Sequence, residues 1–445
     1  MKKILMRAGM APWDRFSPWD MLVYDYFGTN LGNYMYAHSI WRALDTGNDV
    51  EIEADYYRSN VDKAGKINSH YDYFIIPMAD AFRNDFNLEK YTELVKKVKI
   101  PCILIGVGLR APYEPHLEKG FEFDSRVRDF VSAVLDKSSI IGVRGQITAD
   151  YLTKLGFKEG VHHTVIGCPS LYMHGKELYI RDTEIDENAK ICINASSVAN
   201  SEVCSFIERN IRELKNGYYI PQTLKELRLM LTGIKYPHNP KHVYPDTLSH
   251  PVFKEDRAKF FMNTTEWIHF LRDADLTFGA RLHGNIAATL AGCPSILFTK
   301  DSRTRELSEY HGLTSVRDTQ IKRDTDLFEL ASKMDFHNVS KNQERNFNHY
   351  IDFLNKNGLN HIYKNGQEPI VAPLDKKIDL AGEYGPIKSV SMMSKDELEE
   401  YWDNIVMDIR KKDSTIRRFN NKMSIKAYRK IKGIFIKDKT EEQIK

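Results

Sequence analysis

The sequence lacks any apolar run that approaches the roughly 20 residues of a membrane-spanning helix. At the start of the chain a charge at Arg7 interrupts the apolar stretch, so these residues do not resemble a signal peptide. The formal net charge of the 445 residues is only +3, which gives no whole-molecule field for nucleic acid. We therefore expect a cytoplasmic protein that binds no nucleic acid.

Cysteine is also scarce, and its spacing excludes common metal sites and disulfide frameworks. The five cysteines are Cys102, Cys168, Cys192, Cys204 and Cys293. We expect them to be reduced and buried, because free cysteine packs as a small apolar residue. Neither a Gly-x-Gly-x-x-Gly fingerprint followed by an acid nor a Walker A loop is present. The sequence predicts no metal site.

What the sequence does contain is an alternation of short apolar runs with amphipathic stretches, typical of parallel sheets flanked by helices. The first predicted strands are Ile4–Met6, Val50–Ile52, Tyr73–Pro77, Cys102–Gly106, Ile140–Val143 and Val165–Gly167. After a polar stretch the alternation restarts with Ile191–Asn194, Tyr218–Ile220, Phe260–Met262, Leu276–Phe278 and Ile296–Phe298. We predict an α/β protein in which two Rossmann-like domains, residues 1–180 and 181–335, face a cleft.

Residues 336–445 depart from this pattern and are predicted to form an irregular crossing segment and a basic amphipathic helical tail. The tail has apolar residues three or four apart at Ile416, Phe419, Met423, Ala427, Ile431 and Ile434. Between them lie Arg417, Arg418, Lys422, Lys426, Arg429, Lys430 and Lys432. This pattern is typical of a helix that lies on an anionic membrane surface. It is equally typical of a helix that docks on the fold and leaves its basic face in solvent.

One strand-to-helix junction has the pattern of an anion site: Gly279, Ala280, Arg281, Leu282, His283 and Gly284. The N–H groups at a helix N-terminus carry partial positive charge, and arginine adds a two-pronged donor for phosphate or carboxylate. His283 offers a proton or a further hydrogen bond. The alternative is a pair of surface capping residues.

A second arginine, Arg144, follows a predicted strand in the first domain, so one arginine from each domain would converge on one anion. The alternative is a structural arginine at a turn. The loop Gly28–Asn33 could approach a sugar or phosphate with its backbone, and Asn30, Gly32 and Asn33 are its acceptor-binding candidates. The Gly106–Gly108 strand end fits a close-packing turn.

Taken in order along the chain, these motifs resemble those of the polysaccharide pyruvyl transferases. The matching elements are Gly28–Asn33, Gly106–Gly108, the Val-Arg-Gly turn at Arg144 and, above all, the segment Trp267–Pro294. The resemblance spans roughly Tyr26–Leu313. It implies a glycosyltransferase-B-like fold and transfer of pyruvate from phosphoenolpyruvate to two hydroxyls of a sugar, with no cofactor beyond that donor substrate.

The resemblance also implies site residues. Arg144, Arg281 and His283 would surround phosphoenolpyruvate, with Leu282 contributing its backbone. Asn33 stands where many relatives have aspartate, so the resemblance assigns no base at that position. On the acceptor side, a lipid-linked sugar at the inner membrane surface is compatible with the basic tail. By sequence order alone, Glu266 and Asp301 lie near the same edge and are weaker site candidates, whereas Asp273 and Asp275 are interpreted as helix-end and turn residues.

Two other functions remain compatible with the residues. A nucleotide-sugar-dependent glycosyltransferase would use the same fold and the same Arg281 and His283 pair. A catalytically idle binding protein held at a membrane by its tail would need neither, since fold does not imply function.

Overall fold

The computed structural model describes residues 1–235, 239, 242–363 and 369–421. The chain forms two units, Met1–Ser391 and Met392–Lys445. The first unit contains parallel sheets flanked by helices, so the predicted α/β class with two Rossmann-like halves is confirmed.

The N-terminal half contains six strands among the described residues: β1 (Lys2–Met6), β2 (Val50–Ala54), β3 (Tyr73–Pro77), β4 (Cys102–Ile105), β5 (Ile141–Val143) and β6 (His163–Val165). The first four form a parallel sheet with the strand order β2-β1-β3-β4. Strands β5 and β6 pair in parallel, and a single bridge between Val107 and Val143 connects them to the end of β4. The helices are α1 (Pro18–Tyr24), α2 (Leu31–Leu44), α3 (Ala64–His70), α4 (Leu88–Lys97), α5 (Asp124–Leu135) and α6 (Gln146–Lys154).

Helix α2 is the most deeply buried of these helices, because every residue in it except Asn33 is buried. Its N-cap is Asn30, whose side chain accepts a hydrogen bond from the Gly32 N–H. A second bond to the same oxygen comes from Gln222 of the C-terminal half. The start of α2 is therefore fixed by both halves of the unit.

The C-terminal half has a parallel sheet with the strand order β11-β10-β9-β7-β8. Its strands are β7 (Ile191–Asn194), β8 (Gly217–Tyr219), β9 (Leu276–Gly279), β10 (Ser295–Thr299) and β11 (Ser315–Arg317). Its helices are α7 (Ser201–Glu213), α8 (Leu224–Thr232), α9 (Pro251–Lys254), α10 (Thr264–Leu271), α11 (Leu282–Leu290), α12 (Ser302–His311) and α13 (Leu327–Ser332). The carboxyl ends of β9 and β10 lead directly into α11 and α12.

Two expectations about local structure are wrong, and one strand was not predicted. Phe260–Met262 is not a strand: Phe260 makes only a single bridge, to Ile387, so this apolar run is a buried loop. Strand β11 escaped prediction because its three residues are all partly exposed and show no apolar alternation. The segment after Asp335 is not simply irregular, since it contains helices α14 (Asn338–Lys356) and α15 (Pro373–Ala381).

Helix α14 explains why the apolar pattern looked weak there. It buries a narrow face that mixes aromatic residues with amides, including Gln343 and Asn346, so few aliphatic residues mark its period. The Gln343 amide nitrogen donates to the carbonyls of Leu171 and Gly175, which satisfies both of its N–H donors. All five cysteines are buried, as expected for cysteine that packs as a small apolar residue.

The second unit contains helix α16 (Lys395–Asn421), which exposes Trp402, Val406, Met407 and Ile409. Within the ranges that the structure describes, no helix combines the length and the apolar character needed to cross a membrane. The tail prediction rests mainly on side chains outside the described residues, namely Ile416, Arg418, Phe419, Lys422, Met423, Lys426, Ala427, Arg429, Lys430, Ile431, Lys432 and Ile434.

Candidate functional site

The junction between β9 and α11 is held by the end of the neighbouring strand, β7. Asn194 accepts a hydrogen bond from the Arg281 N–H through its side chain and one from Ala280 through its carbonyl. Gly279 has φ +147°, and a Cβ there would collide with the Asn194 carbonyl. Glycine is therefore required for the tight turn into α11.

Arg281 is the N-cap of α11, and no side chain caps the first turn of this helix. Its Nε donates to the carbonyl of Ala195 at 2.9 Å, which fixes the plane of the guanidinium. Arg281 lines a cavity of about 160 Å³, together with Ala280, Leu282 and His283. Uncapped N–H groups beside a fixed arginine make this helix start suitable for an anion.

The cavity is strongly positive, and we call it the cationic cavity. Besides Arg281 it is lined by Arg110, Lys300 and Arg303, against the two acids Asp80 and Asp301. Burial, together with the charges of Arg303, Arg281 and Arg110, lowers the pKa of Lys300 to about 8. Among the described residues that line it there is no Phe, Tyr or Trp.

The sequence interpretation missed Arg110, Lys300 and Arg303. A usable pattern existed, because Lys300 and Arg303 follow β10 directly, and the carboxyl ends of neighbouring parallel strands meet at one edge of a sheet. Asp301, a weak candidate from the sequence, does line the cavity. Its Oδ1 is occupied as the cap of α12, since it accepts bonds from the Thr304 N–H and hydroxyl.

His283 lies where the two halves meet. Gly32 of α2 packs against its ring so closely that a Cβ at position 32 would lie 2.6 Å from the His283 Cγ and Nδ1. Its Nε2 is 3.9 Å from the Cys168 Sγ. Burial, reinforced by the charges of Arg144 and Arg303, lowers the pKa of His283 to about 3, so the imidazole is neutral at pH 7 without a ligand.

Arg144 lies deeper than the sequence suggested. It is 1% exposed, does not line the cationic cavity, and donates from Nε to the Gly106 carbonyl at 3.1 Å. Its Nη2 is buried without a hydrogen-bond partner. Its charge lowers the pKa of both His283 and Asp80, two residues that line the cavity.

A second cavity, of about 170 Å³, lies in the N-terminal half, and we call it the aromatic cavity. Its lining includes two residues of the predicted acceptor loop, Gly28 and Asn33, together with Tyr36, Tyr57, Met78, Ala79, Asp80, Ala81, Arg83 and Phe86. The Asn33 amide donates to the Gly28 carbonyl at 2.7 Å. Asp80 belongs to the lining of both cavities, so the two adjoin at this side chain.

The remaining candidates divide between the site and the scaffold. Asn30 lines the cationic cavity, whereas Gly32 lies against the His283 ring. Glu266 lines neither cavity and instead accepts bonds from the Asn263 side chain and the Tyr384 N–H. Asp275 accepts a bond from the Lys190 N–H and so stabilises a turn.

Comparison with known proteins was made with solved structures, curated proteins and family models. Solved structures with a distant likeness include the UDP-GlcNAc 2-epimerase of Methanocaldococcus jannaschii, with 13% identity, a TM-score of 0.41, and coverage of 80% of this chain and 99% of that one. Another is HepE of Anabaena in complex with UDP and glucose, with 12% identity, a TM-score of 0.38, and coverage of 80% and 98%.

Among curated proteins, none matches the chain. The family model of the polysaccharide pyruvyl transferases, in contrast, matches residues 30–302, which is more than half of the sequence. This range contains α2 with its N-cap Asn30, Arg144, the β9–α11 junction and the first residue of α12. The chain belongs to the polysaccharide pyruvyl transferase family.

Proposed function

We propose that the protein transfers pyruvate from phosphoenolpyruvate to two hydroxyls of a sugar, forming a ketal on a cell-surface glycan or its lipid-linked precursor. The observation that carries this proposal is the cationic cavity at the start of α11, where Arg281, Lys300 and Arg303 lie beside an uncapped helix N-terminus. Phosphoenolpyruvate carries a phosphate and a carboxylate on a three-carbon frame. A small, strongly cationic cavity suits such a compact polyanion.

The cavity lining favours this donor over a nucleotide sugar. A nucleotide base is usually held against apolar or aromatic side chains, and small-molecule sites are lined mainly by such groups. The described lining of the cationic cavity is instead polar, with Val198, Ala280 and Leu282 as its apolar members. The nucleotide-sugar alternative is therefore the less favoured of the two.

The reaction requires protonation of the methylene carbon of phosphoenolpyruvate and stabilisation of positive charge at its second carbon. We propose that His283 donates this proton to the methylene carbon. Its low pKa belongs to the ligand-free site, where burial and arginine charges disfavour the imidazolium. The phosphate and carboxylate of a bound donor supply the opposite charge, and a nearby anion raises the pKa of a histidine. Binding of the donor thus prepares the acid.

The test is thermal unfolding of the purified protein with phosphoenolpyruvate, inorganic phosphate or UDP. We expect stabilisation by phosphoenolpyruvate, about 2.7 kcal/mol at a concentration one hundred times the dissociation constant. Stabilisation by UDP without any by phosphoenolpyruvate would instead indicate a nucleotide-sugar glycosyltransferase.

The assigned role of His283 has its own test. His283→Ala should lower turnover by about 10²- to 10⁴-fold, the usual contribution of a general acid or base. The control is His269→Ala, because His269 is an exposed residue of α10 that lines neither cavity. Turnover of His283→Ala within a few-fold of the parent would remove the histidine from the mechanism.

A further inference from the structure

Asp80 occupies a special place, because it lines both the cationic and the aromatic cavity. It follows β3, on the loop that also carries Arg83. Arg303 reaches it from the start of α12, 223 residues further along the chain. The side chain is 21% exposed, so it stands at the boundary between the two spaces.

The two oxygens of this carboxylate are used differently. Oδ2 is 3.1 Å from the Arg83 Nη1 and 3.5 Å from the Arg303 Nη1, so one arginine from each half holds it. Oδ1 accepts no hydrogen bond from the residues that the structure describes. One oxygen is therefore anchored while the other is available to a ligand.

The charge state of Asp80 fits a proton acceptor. Burial by itself would raise the pKa of the carboxyl group. The guanidiniums of Arg303 and Arg83, with smaller contributions from Arg144 and Arg110, outweigh burial and hold this pKa below its usual range. Asp80 is therefore a carboxylate at neutral pH.

The other candidates for this role are weaker. Asp80 is the only acid among the described residues that line the aromatic cavity, and Asn33 beside it is an amide bound to the Gly28 carbonyl. Asp301 lines only the cationic cavity, and its Oδ1 caps α12. The aromatic cavity itself presents the rings of Tyr36, Tyr57 and Phe86, and aromatic rings with polar neighbours suit the mixed apolar and hydroxyl surface of a sugar.

We propose that the aromatic cavity holds the acceptor sugar and that Asp80 is the catalytic residue that takes the proton of the attacking hydroxyl. This inference rests on the proposed use of phosphoenolpyruvate. The first hydroxyl oxygen bonds to the second carbon of the donor, its proton passes to Asp80 Oδ1, and the methylene carbon takes a proton from His283. The product of this step is a tetrahedral phosphate adduct.

The second hydroxyl then closes the ketal. Its oxygen bonds to the same carbon as the carbon–oxygen bond to phosphate breaks, and its proton returns to His283. The departing phosphate takes the proton held by Asp80 and leaves as hydrogen phosphate. In total the two hydroxyls lose two protons, while the methylene carbon gains one and the phosphate gains the other. Both side chains therefore return to their starting protonation states.

The experiment uses the full chain, expressed from an inducible promoter in its own organism after deletion of the chromosomal gene. The readout is the rate at which acid-labile ketal pyruvate appears in the surface glycan after induction. Purified variants are tested in parallel for stabilisation by phosphoenolpyruvate. We expect Asp80→Asn to keep this stabilisation but to lower the rate of ketal formation by at least about 100-fold.

The matched control is Asp85→Asn. Asp85 also pairs with Arg83, at 3.1 Å, but it is 74% exposed and lines neither cavity. This variant should form the ketal at the parent rate. A near-parental rate for Asp80→Asn would overturn the proposal, and so would loss of stabilisation by phosphoenolpyruvate, because Asp80 would then act only by positioning Arg303.

Two further outcomes are decisive. If ketal pyruvate persists in the deletion strain and the parent protein is not stabilised by phosphoenolpyruvate, the proposed function itself fails. If Asp80→Asn does not accumulate as folded protein, Asp80→Glu retains the charge and displaces the carboxylate by one methylene. We expect Asp80→Glu to be stabilised by phosphoenolpyruvate and to form the ketal at least about tenfold more slowly, since proton transfer depends on position. An unchanged rate would overturn the role as base.

Discussion

Arg144 and Arg281 occupy equivalent local positions in the two halves of the first unit. Each follows a strand, β5 or β9, and precedes a helix. Each donates from Nε to a main-chain carbonyl just beyond the neighbouring strand, Gly106 for Arg144 and Ala195 for Arg281. The same local sequence pattern has thus produced the same anchoring bond twice.

Their surroundings nevertheless differ. Arg281 is partly buried and lines the cationic cavity, whereas Arg144 is almost fully buried behind it with one unpartnered Nη2. An anchored guanidinium at the surface of a cavity can bind an anion directly. A buried one with an unsatisfied donor keeps a positive charge close to the site and binds a ligand that reaches its free nitrogen.

The largest expected effect tests this difference directly, by changing each arginine to lysine. Arg144→Lys should lower kcat/KM for phosphoenolpyruvate by about 10²- to 10³-fold, the usual loss of one preorganised donor. It should also lower stability by about 1–3 kcal/mol, because the buried Gly106 carbonyl loses its donor. The measurements are steady-state kinetics and thermal unfolding.

Arg281→Lys should cost less, about tenfold in kcat/KM with little change in melting temperature, because a partly exposed ammonium still attracts the anion as a point charge. Equal kinetic and thermal effects of the two substitutions would erase the distinction between a buried and a cavity-lining arginine.

A second, smaller effect is expected at the contact between Gly32 of the N-terminal half and His283 of the C-terminal half. Gly32→Ala would place a methyl group 2.6 Å from the His283 ring and so displace the imidazole. A misplacement of about 1 Å can reduce activity about 100-fold. We expect a fall of this size in kcat with the fold retained, as measured by kinetics and circular dichroism.

The control for this substitution is Gly65→Ala. Gly65 is also the second residue of a helix, but nothing lies within 4 Å of a Cβ there. This change should leave kcat unaltered and raise stability by about 0.5–1 kcal/mol, since alanine favours a helix more than glycine does. If both alanine variants have the same kcat, the Gly32–His283 contact has no role in catalysis.

The smallest effect concerns pH. Lys300 lines the cationic cavity together with Arg281, and burial lowers its pKa to about 8. An arginine, in contrast, does not titrate in this range. The cation is present below this pKa and is lost as pH rises through it. The charge of a phosphate monoester is already constant above pH 7. The dissociation constant of phosphoenolpyruvate should therefore increase between pH 7 and pH 9, by at most about tenfold.

Lys300→Gln should bind more weakly at pH 7 and lose the dependence above it, as measured by titration calorimetry. A parent protein whose affinity is flat from pH 7 to pH 9 would show that Lys300 does not contact the donor.

Much of the fold followed from local pattern. Strands such as β3 (Tyr73–Pro77) and β7 (Ile191–Asn194) are bounded as their apolar runs predict, because a strand buried on both faces is a continuous apolar segment. Helix α14 did not follow, since its buried face relies on amides whose partners, the Leu171 and Gly175 carbonyls, lie far away in sequence. Buried amides do not contribute to the apolar spacing by which a helix is recognised, and their burial becomes evident only once their partners are known.

The candidate site divides in the same way. By itself, the sequence determined the β9–α11 junction, because glycine, arginine and histidine at a strand-to-helix turn act through the backbone of a few adjacent residues. It also determined that Arg144 follows a strand. Only the tertiary structure decided that Arg144 lies behind the cavity, that Gly32 contacts His283, and that Asp80 meets Arg303 across 223 residues. The physical reason is range: a turn is specified by neighbouring residues, whereas the charge and shape of the cleft arise only when the two packed halves bring distant side chains together.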